Sequence, residues 1–558
     1  MEKVPSTSEC SYIPQKKHLS RKLSQKAFRF SLVVPFLCLI VMSEPSYSCT
    51  SMVITKGASA DGSMYITHSN DGYTGDTSVV YVPARDHEPG EMRPVYPSAC
   101  ASEALPDYNC YYTPRLNVKG RGPDYRFEGL PITEPLGEIP EVAHTYAYLD
   151  SNYGIINEYG LMLGECTDNS AHIRYLKPDI GTGIFYSSEL GRVALERCKT
   201  AREAVRLIGE LIDEYGLWGT AETLIIGDKE EAFVLEMMPN PSGRNSFWAA
   251  QKIPDGHFFI AANQFRIRSL DPHNPDQIFN PHLTEFFKEL GWAVYDENGY
   301  LDWLKSVDTT ENFHPYYSLR RVWRAMSLVA PSAHYPAWPE RYDTKIYPFS
   351  VKPDKPLTLN DIKELHRDTY QNTEFAFNQK DTGGLFALPY GYGNYDKERV
   401  ISTPAISYIW INQFNDKMPA PISWLALTSP AESVYVPLPV APITKLYSRV
   451  NRKNYDESKF YWVISMVSAL TKGYYSLLSP EVKRTALDLE DKSQALIAAS
   501  MDLDAKAFNE MLLKNAEENF SAWNDLYAKL IEKMNYEAIT YDKDHRPLNH
   551  APKSYAQR

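Results

Sequence analysis

An α+β fold is what the sequence predicts: two antiparallel sheets packed face to face and enclosed by helical layers. Three observations carry that expectation. Short apolar runs come in pairs joined by turns rich in Gly, Asn and Asp, and these read as antiparallel hairpins. Two amphipathic stretches, 187–198 and 201–215, interrupt the hairpins, so the order runs strands, helices, strands. Beyond residue 460 the periodicity is helical. With 558 residues and 43% hydrophobic side chains, the chain has enough apolar surface to close a large core.

The first element is a leader. A basic region, 16–29, precedes an uncharged run, 30–42, and Ser46 and Ser48 stand three and one residues before Cys49. That layout reads as a secretory signal peptide spanning 1–48 and cut before Cys49. The apolar run is shorter than the ~20 residues a membrane span needs. The expected location is extracytoplasmic, periplasmic or secreted, with no membrane partner once the leader is gone. Cleavage would give Cys49 a free α-amine of pKa ~7.7–8.0 beside a thiol of pKa ~8.5, a base next to a nucleophile. Two other fates compete at this position. One is lipid attachment, which blocks both groups and fits poorly with the bulky Tyr47; the other is an ordinary buried cysteine.

Strands are predicted at 51–55 and 64–68, flanking a turn rich in Gly, Ser and Asp. The second strand would return Asn70 and Asp71 beside Cys49. This stretch resembles the start of the cysteine dipeptidases of the N-terminal-nucleophile (Ntn) hydrolases. They share the leading Cys49-Thr50, the turn Lys56-Gly57-Ala58-Ser59-Ala60-Asp61-Gly62-Ser63, and Asp71, 22 residues after Cys49. Bile-salt hydrolases and penicillin V acylases are more distant relatives of that group. One residue departs: an arginine is usual three positions before the Asp, and this chain has His68. The resemblance implies an αββα sandwich, Cys49 as nucleophile with its own amine as base, and Asp71 as the group that orients that amine. His68 becomes a candidate for holding a substrate carboxylate or the thiolate.

From 76 to 140 the chain is mostly loop, and 85–138 reads as insertions around a substrate mouth. Cys100 and Cys110 within it form either a disulfide or two free thiols. Next come two strands about the turn Asn157-Glu158-Tyr159-Gly160, whose end, Glu165 to Thr167, falls near Cys49 by the order of elements. Thr167 is a candidate substrate contact. After the two helices, strands are expected at 222–226, 232–237, 246–252 and 257–262. The last runs into Asn263-Gln264-Phe265-Arg266-Ile267, similar to a segment of the same dipeptidases. The resemblance implies Asn263 as an oxyanion donor, a role whose loss costs about 10²–10³ in rate. Arg266 is a candidate for a substrate carboxylate, or a solvated turn residue.

Helices follow at 280–290, 317–329 and 359–369, then strands at 399–403, 405–411, 422–427 and 433–438. The resembling segments, in order, cover roughly 49–460. Three closing helices are expected at 460–471, 480–501 and 505–534, the second capped by Ser479 with Pro480 first. The domain reading is a leader, 1–48, a catalytic domain, 49–460, and a helical extension, 461–558, packed on the same domain. The apolar stripe Phe508, Leu512, Phe520, Leu526, Leu530 and Met534 suits either that docking or a homo-oligomer contact.

A net charge of −12 argues against nucleic acid as a partner. The 13 His include no His-x-x-x-His pair, and there is no glycine-rich phosphate loop, so neither metal nor cofactor is expected. The function read from these residues is a secreted cysteine dipeptidase hydrolysing dipeptides or short peptides. Alternatives are an Ntn amidase for acyl-amino acids or conjugated bile acids, and a surface lipoprotein that binds peptide or glycan.

Overall fold

In a computed structural model, residues 48–536 are described, apart from 73–75, 98–116, 119, 130, 169, 173–182, 241–245, 309–316, 340–344, 380–382, 391–397 and 451–453. Residues 1–47 of the leader, Cys100 and Cys110 lie outside the described residues.

The opening hairpin is longer than its sequence suggests: β1 is Ser48–Ile54 and β2 is Met64–Asp71. Short strands β3 (Val80–Val82), β4 (Tyr148–Asp150) and β5 (Gly154–Asn157) lead to β6 (Met162–Asp168). Helices α1 (Ser187–Arg197) and α2 (Ala201–Tyr215) follow, the second opened by a capping box between Thr200 and Glu203. Then come β7 (Ala221–Gly227), β8 (Ala232–Met238), β9 (Phe247–Lys252), β10 (Phe258–Ala261) and β11 (Gln277–Phe279). Helices α3 (Leu319–Val329) and α4 (Leu359–His366) precede β12 (Ile406–Phe414), β13 (Ile422–Leu427) and β14 (Val436–Pro439). The chain continues in α5 (Phe460–Gly473), α6 (Tyr475–Ala498) and α7 (Ala505–Tyr536).

These strands form two antiparallel sheets. One runs β10-β1-β2-β12-β13-β14, the other β11-β9-β8-β7-β6-β5-β4-β3. Val53, Ile66 and Trp410 of the first face Ile156, Ile225 and Val234 of the second in one buried cluster. The outer face of the first sheet, with Met52, Ile54 and Ile409, is covered by Leu319 and Val322 of α3 and Ile362 of α4. The outer face of the second, with Leu224, Ile226 and Leu235, is covered by Val193 of α1 and Ile208 of α2. Helices, sheet, sheet, helices is the α+β sandwich the sequence predicts. The stripe on α7 is spent inside this fold: Trp523, Leu526 and Leu530 join the inter-sheet cluster, and Phe508 and Leu512 join the α3 side. No described helix is long and apolar enough to cross a membrane.

Two elements differ from expectation. Residues 399–403 form no strand; Pro404, which has no N–H for a ladder, follows them, and β12 begins only at Ile406. Helix α6 starts at Tyr475, so Ser479 is no cap and Pro480 lies inside the helix. The buried Leu477 and Leu478 draw the extra turn onto the core.

Candidate active site

Strand β1 lies between β2 and β10, and its register sets Cys49 opposite Asn70 and Ser48 opposite Asp71. The second sheet comes very close at this end. A Cβ on Gly164 would stand 2.8 Å from the Thr67 carbonyl oxygen, so only glycine fits. That approach lets Glu165 reach the strand of Cys49. The Cys49 thiol donates to Glu165 Oε2 at 3.2 Å, and Ser51 Oγ donates to the Glu165 carbonyl at 2.6 Å.

From Glu165 the contacts close into a ring. Thr167 Oγ1 donates to Glu165 Oε1 at 3.1 Å, and Asn263 Nδ2 donates to the Thr167 carbonyl at 2.6 Å. Asn263 follows β10 in the left-handed region, φ 62°, which asparagine tolerates better than most residues. Its Oδ1 accepts from Arg321 Nη2 at 2.7 Å, while Arg321 Nη1 donates to the Cys49 carbonyl at 2.7 Å and to Thr50 Oγ1 at 2.8 Å. Arginine can only donate, so it fixes which end of the Asn263 amide faces it. The second amide N–H of Asn263 remains beyond the one given to Thr167.

The centre is buried, and burial dominates its electrostatics. Burial, with the Glu165, Cys166 and Asp71 charges, pushes the Cys49 thiol well above its ordinary range. Burial and then the adjacent Glu222 carboxyl raise Glu165 strongly, and burial raises Glu222. Two carboxyls in contact do not both ionise readily, so the pair titrates as a unit. Burial holds His68 down to about 3, so its ring is neutral. That ring packs on Trp410 with centroids 4.4 Å apart and sets Nδ1 2.8 Å from the Glu165 carbonyl oxygen. Asp71 is ion-paired to Arg399. Burial raises its pKa against the opposing pull of Arg399 and Arg321, and its Oδ1 has no hydrogen-bond partner among the described residues. Cys49 Sγ, a His68 ring nitrogen and a Glu165 carboxylate oxygen lie within 4.8 Å of one another, a donor set zinc could take.

The model of Peptidase family C69 matches residues 48–488, beginning on the strand that carries Cys49. The chain belongs to that family. It is similar to a protein of Streptococcus pyogenes serotype M3 named "Probable dipeptidase B", 23% identical over 528 residues, covering 90% of this chain and 96% of the relative. It is also similar to the "Dipeptidase" of Bifidobacterium longum, 23% identical over 515 residues, covering 86% and 88%. A "Probable dipeptidase" of Latilactobacillus sakei is 26% identical over 403 residues, covering 70% and 73%.

In this C69 peptidase, Cys49, Thr167 and Asn263 share one ring, and Asp71 sits at the end of β2 beside it. His68 stands behind, holding the backbone of Glu165. Arg266 does not join them: its side chain is buried and Nη2 donates to the carbonyls of Tyr347 and Pro348, at 3.3 and 2.6 Å. The described insertions around Arg93, Arg121 and Glu138 line a cavity of about 550 Å³ that shares no residue with the ring. Sequence reasoning missed Arg321, Arg399 and Glu222. Arg321 left a trace, a cation on the apolar stripe Leu319, Val322, Ala325, Met326 of an amphipathic helix. Arg399 and Glu222 left none.

Proposed function

We propose that this C69 peptidase is a cysteine dipeptidase of the Ntn type. It acts on dipeptides or short peptides once residues 1–48 have been removed on export and Cys49 has become the N-terminus. One observation supports it above the others: the backbone carbonyl of Cys49 and the side-chain amide oxygen of Asn263 are held in one frame by a single guanidinium, Arg321. In the uncut chain the thiol faces acidic neighbours and stays protonated. A thiolate needs a cation at hand, and the freed α-ammonium of Cys49 supplies one on the same residue. The unpartnered Oδ1 of Asp71, at the end of the strand facing residue 48, suits that ammonium.

The amine takes the thiol proton, and Cys49 Sγ bonds to the scissile carbonyl carbon. The Asn263 amide and backbone N–H groups receive the oxyanion. Collapse breaks the C–N bond, the ammonium returns its proton to the leaving amine, and water resolves the thioester. The relatives' names point to the same substrates. The test is the mass of the mature N-terminal peptide together with hydrolysis of Ala-Ala. Free Cys49 and turnover lost in Cys49→Ala are expected. A diacylglyceryl group on Cys49, or full activity with residues 1–48 still attached, would refute the reading. Faster turnover of acyl-amino acids than of dipeptides would make the enzyme an amidase instead.

A further inference from the structure

Where this fold buries a carboxylate, it usually adds a cation. Glu189 meets Arg93, Arg121 and Arg192; Asp150 meets Arg192; Asp368 meets Arg324; Glu490 meets Arg367 and Lys363. Buried Glu236 is met instead by three N–H donors, from Arg266, Ile267 and the Trp303 ring. Asp168 and Glu432 are met by hydroxyls alone among the described residues, and Glu165 and Glu222 also lack a cation, these two lying beside each other. Both are buried at the nucleophile, and among the described residues neither pairs with an arginine or lysine. Glu222 Oε2 is buried with no hydrogen-bond partner among them. Among the described residues neutral donors steady the pair: the Cys49 thiol and Thr167 on Glu165, and Tyr186 at 2.8 Å and Thr220 on Glu222. Thr167 and Tyr186 are half-buried and Thr220 is exposed, so the pair lies beneath a partly open rim.

Distance says what such a pair can hold. An attacked carbonyl carbon stands about 3–3.5 Å from the sulfur. The α-nitrogen of the same residue lies only ~2.5 Å from that carbon, and an ammonium sits about 2.7–2.9 Å from its carboxylate. An acceptor for the α-ammonium of the substrate's first residue must therefore stand within one residue's reach of Cys49. Glu165, 3.2 Å from the thiol, stands there with Glu222 beside it. In a substrate with one more residue ahead of the scissile bond, the ammonium would lie ~3.3–3.6 Å further on, beyond the pair.

We infer that Glu165 and Glu222 form the subsite for the free α-ammonium of the substrate, and so select peptides with a single residue ahead of the bond cut. The inference rests on the dipeptidase reading and adds the group that enforces it. One positive charge meets a carboxyl pair that as a unit does not readily hold two negative charges.

The test compares kcat/KM for Ala-Ala and N-acetyl-Ala-Ala on the mature protein. Wild type should favour the free amine by about 10²-fold or more, and Glu222→Gln should lower that preference by roughly 10–10²-fold, chiefly through KM. A second measurement needs no variant: L-alaninamide should inhibit competitively, and N-acetyl-L-alaninamide should not. Equal turnover of the two dipeptides, or equal inhibition by the two amides, overturns the subsite and leaves the dipeptidase standing. So does a Glu222→Gln enzyme that loses the same factor on both substrates, since the pair would then balance the amine of Cys49 itself. Hydrolysis of neither dipeptide by wild type removes both readings.

Discussion

Replacing Asn263 by alanine and by glycine separates the chemistry of this residue from its backbone. Both variants remove the side-chain amide, so both should lose its hydrogen bond to the developing oxyanion. That loss is about 10²–10³ in kcat, or roughly 2.7–4 kcal/mol, with KM changed much less. The two should differ in stability. At φ 62° an alanine pays about 1–2 kcal/mol for the left-handed conformation, whereas glycine pays none. Glycine gives back about 0.4–1 kcal/mol through its freer unfolded chain. The balance leaves Asn263→Gly more stable than Asn263→Ala by about 1 kcal/mol. Both lose the acceptor for Arg321 Nη2, so that cost cancels in the comparison. The assay is paired: steady-state hydrolysis of Ala-Ala, and urea midpoints at equal m-value. Near-normal kcat in the glycine variant, or a rise in KM alone, would show that Asn263 is not the oxyanion donor. Equal midpoints would refute the strained backbone.

Arg321→Lys keeps the charge but not the planar fork that reaches Cys49, Thr50 and Asn263 together, so kcat should fall by about 10–10²-fold; unchanged kcat in a folded variant would remove its positioning role. One uncleavable residue added before Cys49 should abolish turnover and slow alkylation of Cys49 by iodoacetamide, and an extended enzyme that still turns over would need another base. His68 carries a pH signature. Its folded pKa of about 3 lies below the usual 6.5, so as pH falls through that window the unfolded chain takes up a proton the fold refuses, and stability drops. The full effect is roughly 5 kcal/mol, reached only near pH 3. His366 behaves alike and keeps its own share, so His68→Gln should make the urea midpoint fall less between pH 7 and 4.5, and an unchanged loss would place a charged His68 in the fold.

The opening hairpin, both early helices and the strand ends at Thr167 and Asn263 were legible because periodicity and turn chemistry are local. Even there the boundary mattered. β1 starts at Ser48 and β2 runs on to Asp71, which sets Cys49 within the ladder rather than ahead of it. Arg266 shows the limit of reading a cation as a binding residue: the carbonyls of Tyr347 and Pro348, far along the chain, claim it. Pro480 shows the same for helix starts, where two buried leucines outweigh a favourable cap. Arg321 and Glu222 act only across tertiary contacts, and no local spacing encodes which buried charge finds a partner and which is left without one.

The ring at Cys49 is stitched from segments that lie far apart along the chain. Arg321 is 272 residues from Cys49, Glu165 is 116 from it, and Asn263 is 96 from Thr167. Contacts of such span form late, after the loop-closure entropy between them has been overcome. A chain emerging from the ribosome therefore carries the cysteine before the ring around it is assembled. Peptide hydrolysis becomes a timer on folding itself. Regain of turnover on refolding therefore reports completion of the whole sandwich rather than of any one hairpin.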